Sequence, residues 1–289
     1  MRRWRDAATA SVGVASTRAE LWLPGALAWV ASVGWIPFVI AVGRPPSVAE
    51  LTFLGARIVT SGAWPWNAIL IGAAGVALVL LAFALTAAAN AVLIALLARR
   101  APSAGDARRI LAVNVVMALP AVLSTLVVLM ALVAIAPLEF NAPDPAGGPV
   151  LRTALRLMPY LVLLAVTAAV GAALAAVAGR LAVERRLRLG EALRAAPAVA
   201  IQPPFATQAV AAFLGQLMFL GFCALLLGVL WVPIGTQLAI GGGFEIGTGL
   251  LLLGFVAIWL CLVLAGGALH AWSAATWSRL LATDPPRKD

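Results

Sequence analysis

Among the polar side chains inside apolar runs, four could take part in chemistry: Asn90, Asn114, Gln216 and His270. Within a membrane such groups hydrogen-bond between helices, each bond contributing about 0.6–2 kcal/mol, or line a polar cavity. We expect hydrogen bonds between helices in this intramembrane polar cluster, with a polar cavity as the alternative. His270 is the one histidine of the chain, so a His-rich metal or haem site cannot be built.

The sequence contains no motif typical of an enzyme. Nucleophile–base pairs, phosphate-binding loops and CxxC pairs are absent, and Cys223 and Cys261 both fall inside apolar runs. No Asp, Glu, Lys or Arg lies deep within those runs, where charged residues usually mark ion pathways or proton relays. We therefore predict no catalysis, no metal and no cofactor, and the sequence disfavours a proton- or sodium-coupled transporter.

The densest patch of charge is the basic connector, residues 184–206, which lies between two long apolar runs. It could dock anionic lipid or a protein partner, because each basic residue near a membrane surface adds about 1 kcal/mol. The alternative is an ordinary topology signal. The docking hypothesis assigns six residues to this surface: Arg185, Arg186, Arg188, Gly190, Glu191 and Arg194.

The connector also has a helical charge pattern. Residues of alternating sign are spaced four, four and three apart, at Arg180, Glu184, Arg188 and Glu191. One helix would align them along one stripe, with stabilising pairs of a few tenths of a kcal/mol each. We expect Gly190 to break that helix and a short second helix to end before Pro197.

The elements that position these residues are membrane spans. With 63% hydrophobic residues, 11% charged residues and a mean hydropathy of +1.04, the chain lies far outside the range of soluble domains. A net charge of +9 would favour nucleic acid in a soluble protein, but here the charges flank apolar runs. We therefore expect a lipid bilayer around the chain and no nucleic-acid partner.

Six apolar runs are each long enough for a hydrocarbon core that needs about 20 residues. They predict an all-α polytopic membrane helix bundle in one domain, with six transmembrane helices arranged as three hairpins. A helical interfacial segment within residues 1–20 precedes them, and Pro37 is expected to kink the first span. The predicted spans are residues 21–43, 67–98, 110–137, 153–183, 207–234 and 247–281.

Basic residues are distributed unequally around these runs. Sixteen of the 20 fall on one side, and Arg44, Arg57, Arg152 and Arg156 fall on the other. Because cytoplasmic loops carry the excess of Lys and Arg, both termini and the basic connector are predicted to be cytoplasmic. The expected location is the plasma (inner) membrane of a prokaryote.

Small residues favour close helix packing in the fourth span, where Gly171, Ala175 and Gly179 recur every four residues. They indicate the centre of the bundle or, alternatively, a homodimer face. The connectors at residues 99–108 and 185–194 resemble each other, each with an Arg-Arg pair followed by a glycine and an acidic residue. This indicates an internal duplication, unless it only reflects the Arg-rich composition of cytoplasmic connectors.

Three segments carry a resemblance to a known group: RAELWLPG at 18–25, RLGEALRAAPAV at 188–199 and TWSRLL at 276–281. The chain resembles poorly characterised six-span prokaryotic proteins similar to the membrane domain of glycerophosphoryl diester phosphodiesterases. In the last segment Trp277 replaces the usual Tyr, and the final Arg is missing. The resemblance implies architecture alone, because this sequence carries no phosphodiesterase domain.

Two functions fit these patterns. The first is a non-enzymatic membrane scaffold or accessory subunit that docks partners or anionic lipid through its basic cytoplasmic face. The alternative is a transport component, either the permease partner of a transporter ATPase or a lipid or small-solute pathway. A permease would need a cytoplasmic coupling helix, for which residues 190–197 are the candidate.

Overall fold

The computed structural model describes residues 2–43, 48–140, 148–239 and 246–283, which contain helices and turns but no strand. The predicted all-α class is confirmed for this part of the chain. Arg44, Arg287 and Lys288, which belong to the predicted charge asymmetry, lie outside the described residues. The helices are α1 (Arg2–Thr17), α2 (Trp22–Trp29), α3 (Ile36–Val42), α4 (Val48–Thr60), α5 (Trp66–Leu97), α6 (Ala104–Phe140), α7 (Pro149–Val183), α8 (Leu189–Ala200), α9 (Pro203–Ala239) and α10 (Ile246–Ala282).

Five of these helices are long and apolar enough to cross a membrane, namely α5, α6, α7, α9 and α10. They contain 32–37 residues, so at 1.5 Å per residue each reaches roughly 48–55 Å, against a hydrocarbon core of about 30 Å. Each of the five predicted spans after the first falls on one of them. The chain is therefore a multi-pass membrane protein.

The first predicted span, residues 21–43, is broken in the structure. α2 continues into π-helical residues Val30–Gly34, and α3 then leaves at an angle of 54°. Pro37 has no N–H group to donate to the preceding turn. Gly34 leaves room for the Trp29 ring, because a Cβ at Gly34 would lie 2.5 Å from the ring atom Cζ3. The predicted kink is thus present as a break, and the chain has six spans only if the two bent pieces count as one.

The chain forms two compact units. One consists of residues 108–213 and contains most of α6, all of α7 and α8, and the first part of α9. The other consists of residues 2–107 and 214–289 and contains α1 to α5, the rest of α9, and α10.

In the second of these units, α2 and α10 meet through backbone contact. A Cβ at Gly25 would overlap the carbonyl oxygen of Gly267, and a Cβ at Gly267 would lie 2.5 Å from the amide nitrogen of Ala26. One turn further along, the buried Trp29 ring packs on Gly266. Glycine is the residue that allows two helices to approach so closely in a membrane, so this crossing fixes α2 on α10.

The same unit holds the N-terminal helix α1 against the last turns of α10. The indole Nε1 of Trp272 donates to the carbonyl oxygen of Ala8 over 3.0 Å. The Arg3 guanidinium donates to the carbonyl oxygen of Leu280 over 2.8 Å and to the hydroxyl of Thr283 over 2.9 Å. The helical segment predicted before the first span is therefore present, while its cytoplasmic placement stays a prediction.

The α2–α10 crossing predicts a strong effect of a single methyl group. Gly267→Ala should destabilise the protein by about 1–3 kcal/mol, because the new Cβ overlaps backbone atoms that cannot rotate away. The measurement is thermal unfolding in detergent. The matched control is Gly254→Ala on the same helix, where a Cβ would meet nothing within 4 Å. Equal melting temperatures for the two variants would contradict the crossing.

Candidate functional site

The basic connector does not form the continuous helix expected from its charge pattern. α7 ends at Val183, residues 184–188 are not α-helical, and α8 begins at Leu189. The predicted stripe through Arg180, Glu184, Arg188 and Glu191 is therefore wrong. The backbone turns between the helices, with Arg186 at the left-handed φ of 54° and the N–H of Leu187 donating to the carbonyl oxygen of Leu181.

The position of the break also corrects two predictions about α8. Gly190 lies in the first turn of α8 and does not interrupt a helix. Pro197 lies inside α8, which ends at Ala200, and not after its end. A break before Gly190 is reasonable because Glu191 can then reach back: its Oε2 accepts the backbone N–H of Arg188 over 3.0 Å, which satisfies one of the free donors at the helix start.

α8 packs on α7 through small side chains. Ala192 and Ala196, four residues apart, are both fully buried, so they mark the face that meets α7. The opposite face is open: Gly190, Glu191 and Arg194 are exposed. The connector is thus a distinct amphipathic helix, fixed on one side and exposed on the other.

The arginines of the connector differ in exposure. Arg186, Arg188 and Arg194 are exposed, whereas Arg185 is half-buried and already has interaction partners. Arg180 is 6% exposed, and its Nη1 donates to the carbonyl oxygen of Ala176 over 3.0 Å. Of the predicted docking arginines, three are therefore free to meet a ligand without rearrangement of the fold.

Asn90 and His270, two members of the predicted polar cluster, lie together. The Nε2 of His270 is 3.0 Å from the Oδ1 of Asn90, and the Nδ2 of Asn90 donates to the carbonyl oxygen of Thr86 over 2.9 Å. The bond to Thr86 fixes the amide orientation, because a carbonyl oxygen cannot donate. Oδ1 therefore accepts, and His270 carries its proton on Nε2. This pair links α5 to α10.

The other two members of the predicted cluster are Asn114 and Gln216. Asn114 is half-buried on α6, in the unit of residues 108–213. Gln216 is half-buried on α9, in the same unit as Asn90 and His270, and within the described residues it forms no hydrogen bond with either. The structure thus joins Asn90 to His270, and a cluster that includes Asn114 and Gln216 stays a prediction.

The small residues predicted for helix packing lie along the contact of α7 with α6. A Cβ at Gly171 would lie 2.5 Å from the carbonyl oxygen of Met117, whereas one at Gly179 would lie 3.8 Å from Cγ1 of Ile110. Ala175, between them, is half-buried. The closest approach of the two backbones is thus at Gly171, where the helices leave no room for any side chain.

The pattern that sequence reasoning missed is a set of arginines that bind the C-terminal ends of long helices. Arg18 Nη2 donates to the carbonyl oxygen of Leu96 in α5, and Arg109 Nη1 donates to that of Ala182 in α7, each over 3.0 Å. Arg3 does the same at Leu280 in α10. Their one sequence signal is basic character, which they share with every other arginine here.

A second missed feature is a buried carboxylate between two arginines. Glu139, 3% exposed near the end of α6, accepts from Nε of Arg152 and from Nε of Arg156 on α7, each over 2.8 Å. Arg152 also donates to the carbonyl oxygen of Glu139 over 2.9 Å. These contacts tie the two helices together, and burial of the carboxylate is tolerable because both of its oxygens are paired.

The contact at Gly171 yields a prediction with an internal control. Gly171→Ala should lower the free energy of unfolding by about 1–3 kcal/mol, since the methyl group would press on a backbone carbonyl. Gly179→Ala, two turns along the same face, should be nearly neutral because its Cβ makes an ordinary van der Waals contact. Thermal unfolding in detergent measures both, and a neutral Gly171→Ala variant would place that face away from α6.

No group of three or more His, Cys, Asp or Glu side chains that could hold a metal ion occurs among the described residues. No protein-family model, curated protein or solved structure matches this chain.

Proposed function

We propose that this chain is a non-enzymatic multi-pass scaffold or accessory subunit that docks anionic lipid or a membrane partner through the exposed face of α8. The observation that carries the proposal is the arrangement of the connector. A topology signal needs positive charge on the correct side, but it does not need a separate helix packed on α7 with three exposed arginines around it.

The electrostatics of this face favour an anionic ligand. Arg186, Arg188 and Arg194 are exposed. The connector also has two acidic residues: Glu184, which is exposed and already has interaction partners, and Glu191, which accepts the N–H of Arg188 at the helix start. Each basic residue near an anionic surface contributes about 1 kcal/mol, so three together contribute about 3 kcal/mol. The guanidinium groups can also bind phosphate or carboxylate through two parallel hydrogen bonds.

The docking role does not extend to every arginine that the sequence places on the inner side. Arg3, Arg18 and Arg109 are each bound to a helix carbonyl oxygen, so their loss would alter the fold as well as the charge. The proposed docking surface therefore consists of α8 and the turn before it.

The proposed orientation places both termini and α8 in the cytoplasm of a prokaryotic cell, with the spans arranged as three hairpins. It is supported by the unequal distribution of basic residues. The resemblance of residues 188–199 and 276–281 to the six-span phosphodiesterase-associated membrane domain agrees with this arrangement.

Reporter fusions test the orientation. Fusions after Arg108 and Arg194 should give a cytoplasmic signal, and fusions after positions 144 and 242 an external one, because 16 of 20 basic residues flank the first pair of sites and the termini. The measurement is alkaline phosphatase and fluorescent-protein activity in intact cells. External labelling of a cysteine introduced near Arg188 would contradict the topology.

A transport pathway remains the second candidate, and one local feature favours it. The first span is broken at Trp35, and two indole nitrogens packed in the same aromatic and aliphatic cluster, Nε1 of Trp29 and of Trp259, are buried without a partner among the described residues. Broken helices line substrate sites in many transporters. Uptake of small neutral solutes by proteoliposomes, absent from protein-free vesicles, would favour this candidate, and identical uptake would remove it.

The docking surface is tested by charge removal at α8. Replacing Arg186, Arg188 and Arg194 with Gln should leave insertion intact and lower affinity for phosphatidylglycerol up to about 100-fold, the equivalent of 3 kcal/mol. Native mass spectrometry of the purified protein counts the bound lipid, and pull-down from native membranes tests a protein partner. Binding should also weaken as salt rises.

The matched control removes three exposed arginines elsewhere: Arg2, Arg5 and Arg108 to Gln. Loss of binding only in the α8 variant supports the proposal. An equal loss in both variants indicates non-specific attraction, and full binding by the α8 variant in both assays leaves the connector as a topology signal alone. A variant with Lys at the three positions then tests the mechanism. Binding that depends on charge alone should be retained, because Lys is also positive, whereas binding through two parallel hydrogen bonds from a guanidinium should be lost.

A further inference from the structure

The ion cluster of Glu139, Arg152 and Arg156 joins the end of α6 to the start of α7 and leaves one guanidinium accessible. Arg156 reaches the buried carboxylate through its Nε over 2.8 Å, and its side chain is 62% exposed, against 4% for Glu139. A guanidinium has five N–H donors in one plane. The bond at Nε therefore fixes that plane, while the exposed part of Arg156 can still donate through its Nη groups.

The charges of this cluster do not cancel. Within the described residues, which exclude 141–147, two guanidinium groups face one carboxylate, which leaves one net positive charge. Arg152 has little to offer an external ligand, because its Nε and Nη2 are bound to Glu139 and its side chain is 23% exposed. The net charge is therefore presented at Arg156, and it matches a ligand with one negative charge, such as a phosphodiester.

The position of Arg156 along α7 sets its depth in the membrane. α7 is one of the five spans, and its residues 157–179 include no charged side chain, whereas Arg156 and Arg180 flank them. At 1.5 Å per residue this segment is about 35 Å long, close to the hydrocarbon core of about 30 Å. Arg156 therefore lies at one edge of the core, at the level of the lipid phosphates, and α8 follows the other end of α7.

Apolar side chains continue from Arg156 along the same side of α7. Leu163 and Val170 are rotated from it by only about 20° and 40° around the helix axis, and they are 46% and 52% exposed. A phospholipid whose phosphate lies at Arg156 would place its acyl chains along these residues. Tyr160 also lies on this side, one turn from Arg156 and 36% exposed. Tyrosine is enriched where the hydrocarbon core meets water.

We propose that Arg156 binds the phosphate group of a phospholipid in the leaflet at the start of α7, with Glu139 holding the guanidinium in place and the Tyr160 hydroxyl donating a further hydrogen bond. A guanidinium can present two parallel N–H groups to phosphate oxygens. Helical side chains lean towards the helix N-terminus, so the ring of Tyr160 extends towards the turn of Arg156. This site lies at the membrane surface opposite to α8 and does not depend on the docking role proposed there.

Charge removal at Arg156 tests the site. Arg156→Gln should lower the affinity for phosphatidylglycerol about five-fold, the loss expected for one basic residue near an anionic surface. Native mass spectrometry of the purified protein measures the affinity, and thermal unfolding in detergent checks the fold, in which Arg152 still pairs with Glu139. The matched control is Arg57→Gln, which removes another exposed arginine. Unchanged affinity in Arg156→Gln, or an equal loss in both variants, would overturn the proposal.

Two further variants test the geometry of the phosphate contacts. Arg156→Lys keeps the charge but not the two parallel donors, so the affinity should stay low. Tyr160→Phe removes only a hydroxyl from the surface of α7, and it should lower the affinity about 3- to 10-fold. Full affinity in either variant would contradict the contacts proposed here.

The source of the phosphate and the independence from α8 need separate measurements. Glycerol phosphate, which has no acyl chains, should not displace phosphatidylglycerol at equal concentration. Displacement would identify a soluble anion as the ligand and overturn the proposal. In a protein that carries Arg186→Gln, Arg188→Gln and Arg194→Gln, the change Arg156→Gln should cause the same five-fold loss. A loss seen only with an intact α8 would place the phosphate at α8 and contradict a site at Arg156.

Discussion

Every long helix in this protein must find partners for the carbonyl groups of its last turn, and arginine meets that requirement three times. α5, α7 and α10 each receive a guanidinium from a distant part of the chain: Arg18, Arg109 and Arg3 respectively. The bond satisfies an unpaired acceptor and places positive charge at the negative end of the helix dipole. It also joins each helix end to a neighbouring segment, so helix termination and tertiary packing depend on the same contact.

The connectors that follow α5 and α7 share some features. Both contain an arginine at positive φ, Arg99 at 52° and Arg186 at 54°, which turns the chain after the helix ends. The next helix then begins with glycine at its second position and an acidic residue at its third, as in Gly190 and Glu191 of α8. In the first connector the acidic residue, Asp106, pairs with Arg100 over 2.6 Å. The two connectors thus share a sequence pattern and a turn through an arginine at positive φ, while the contacts of their acidic residues differ, and the internal duplication stays a prediction.

The sequence was sufficient to predict the long helices, but it did not predict the contacts between them. Apolar length identified α5, α6, α7, α9 and α10, because twenty consecutive apolar residues admit few other structures. The stripe predicted through Arg188 failed because spacing cannot show that the backbone has left the helix. Likewise, nothing in composition shows that Arg109 is bound to a carbonyl oxygen of α7, since its neighbour Arg108 is of the same type and both are exposed. Such distinctions depend on partners distant in the chain.

The two uses of arginine also limit what positive charge can reveal about function in a membrane protein. An arginine bound to a helix end counts toward the positive-inside asymmetry just as any other does, yet some of its donors are already used by the helix carbonyl groups. Arg180 is the extreme case, since it belongs to the connector's charge pattern but is 6% exposed. What separates a docking surface from a topology signal is therefore the backbone that presents the charge. α8 presents Arg194 outward because Ala192 and Ala196 hold its other face on α7.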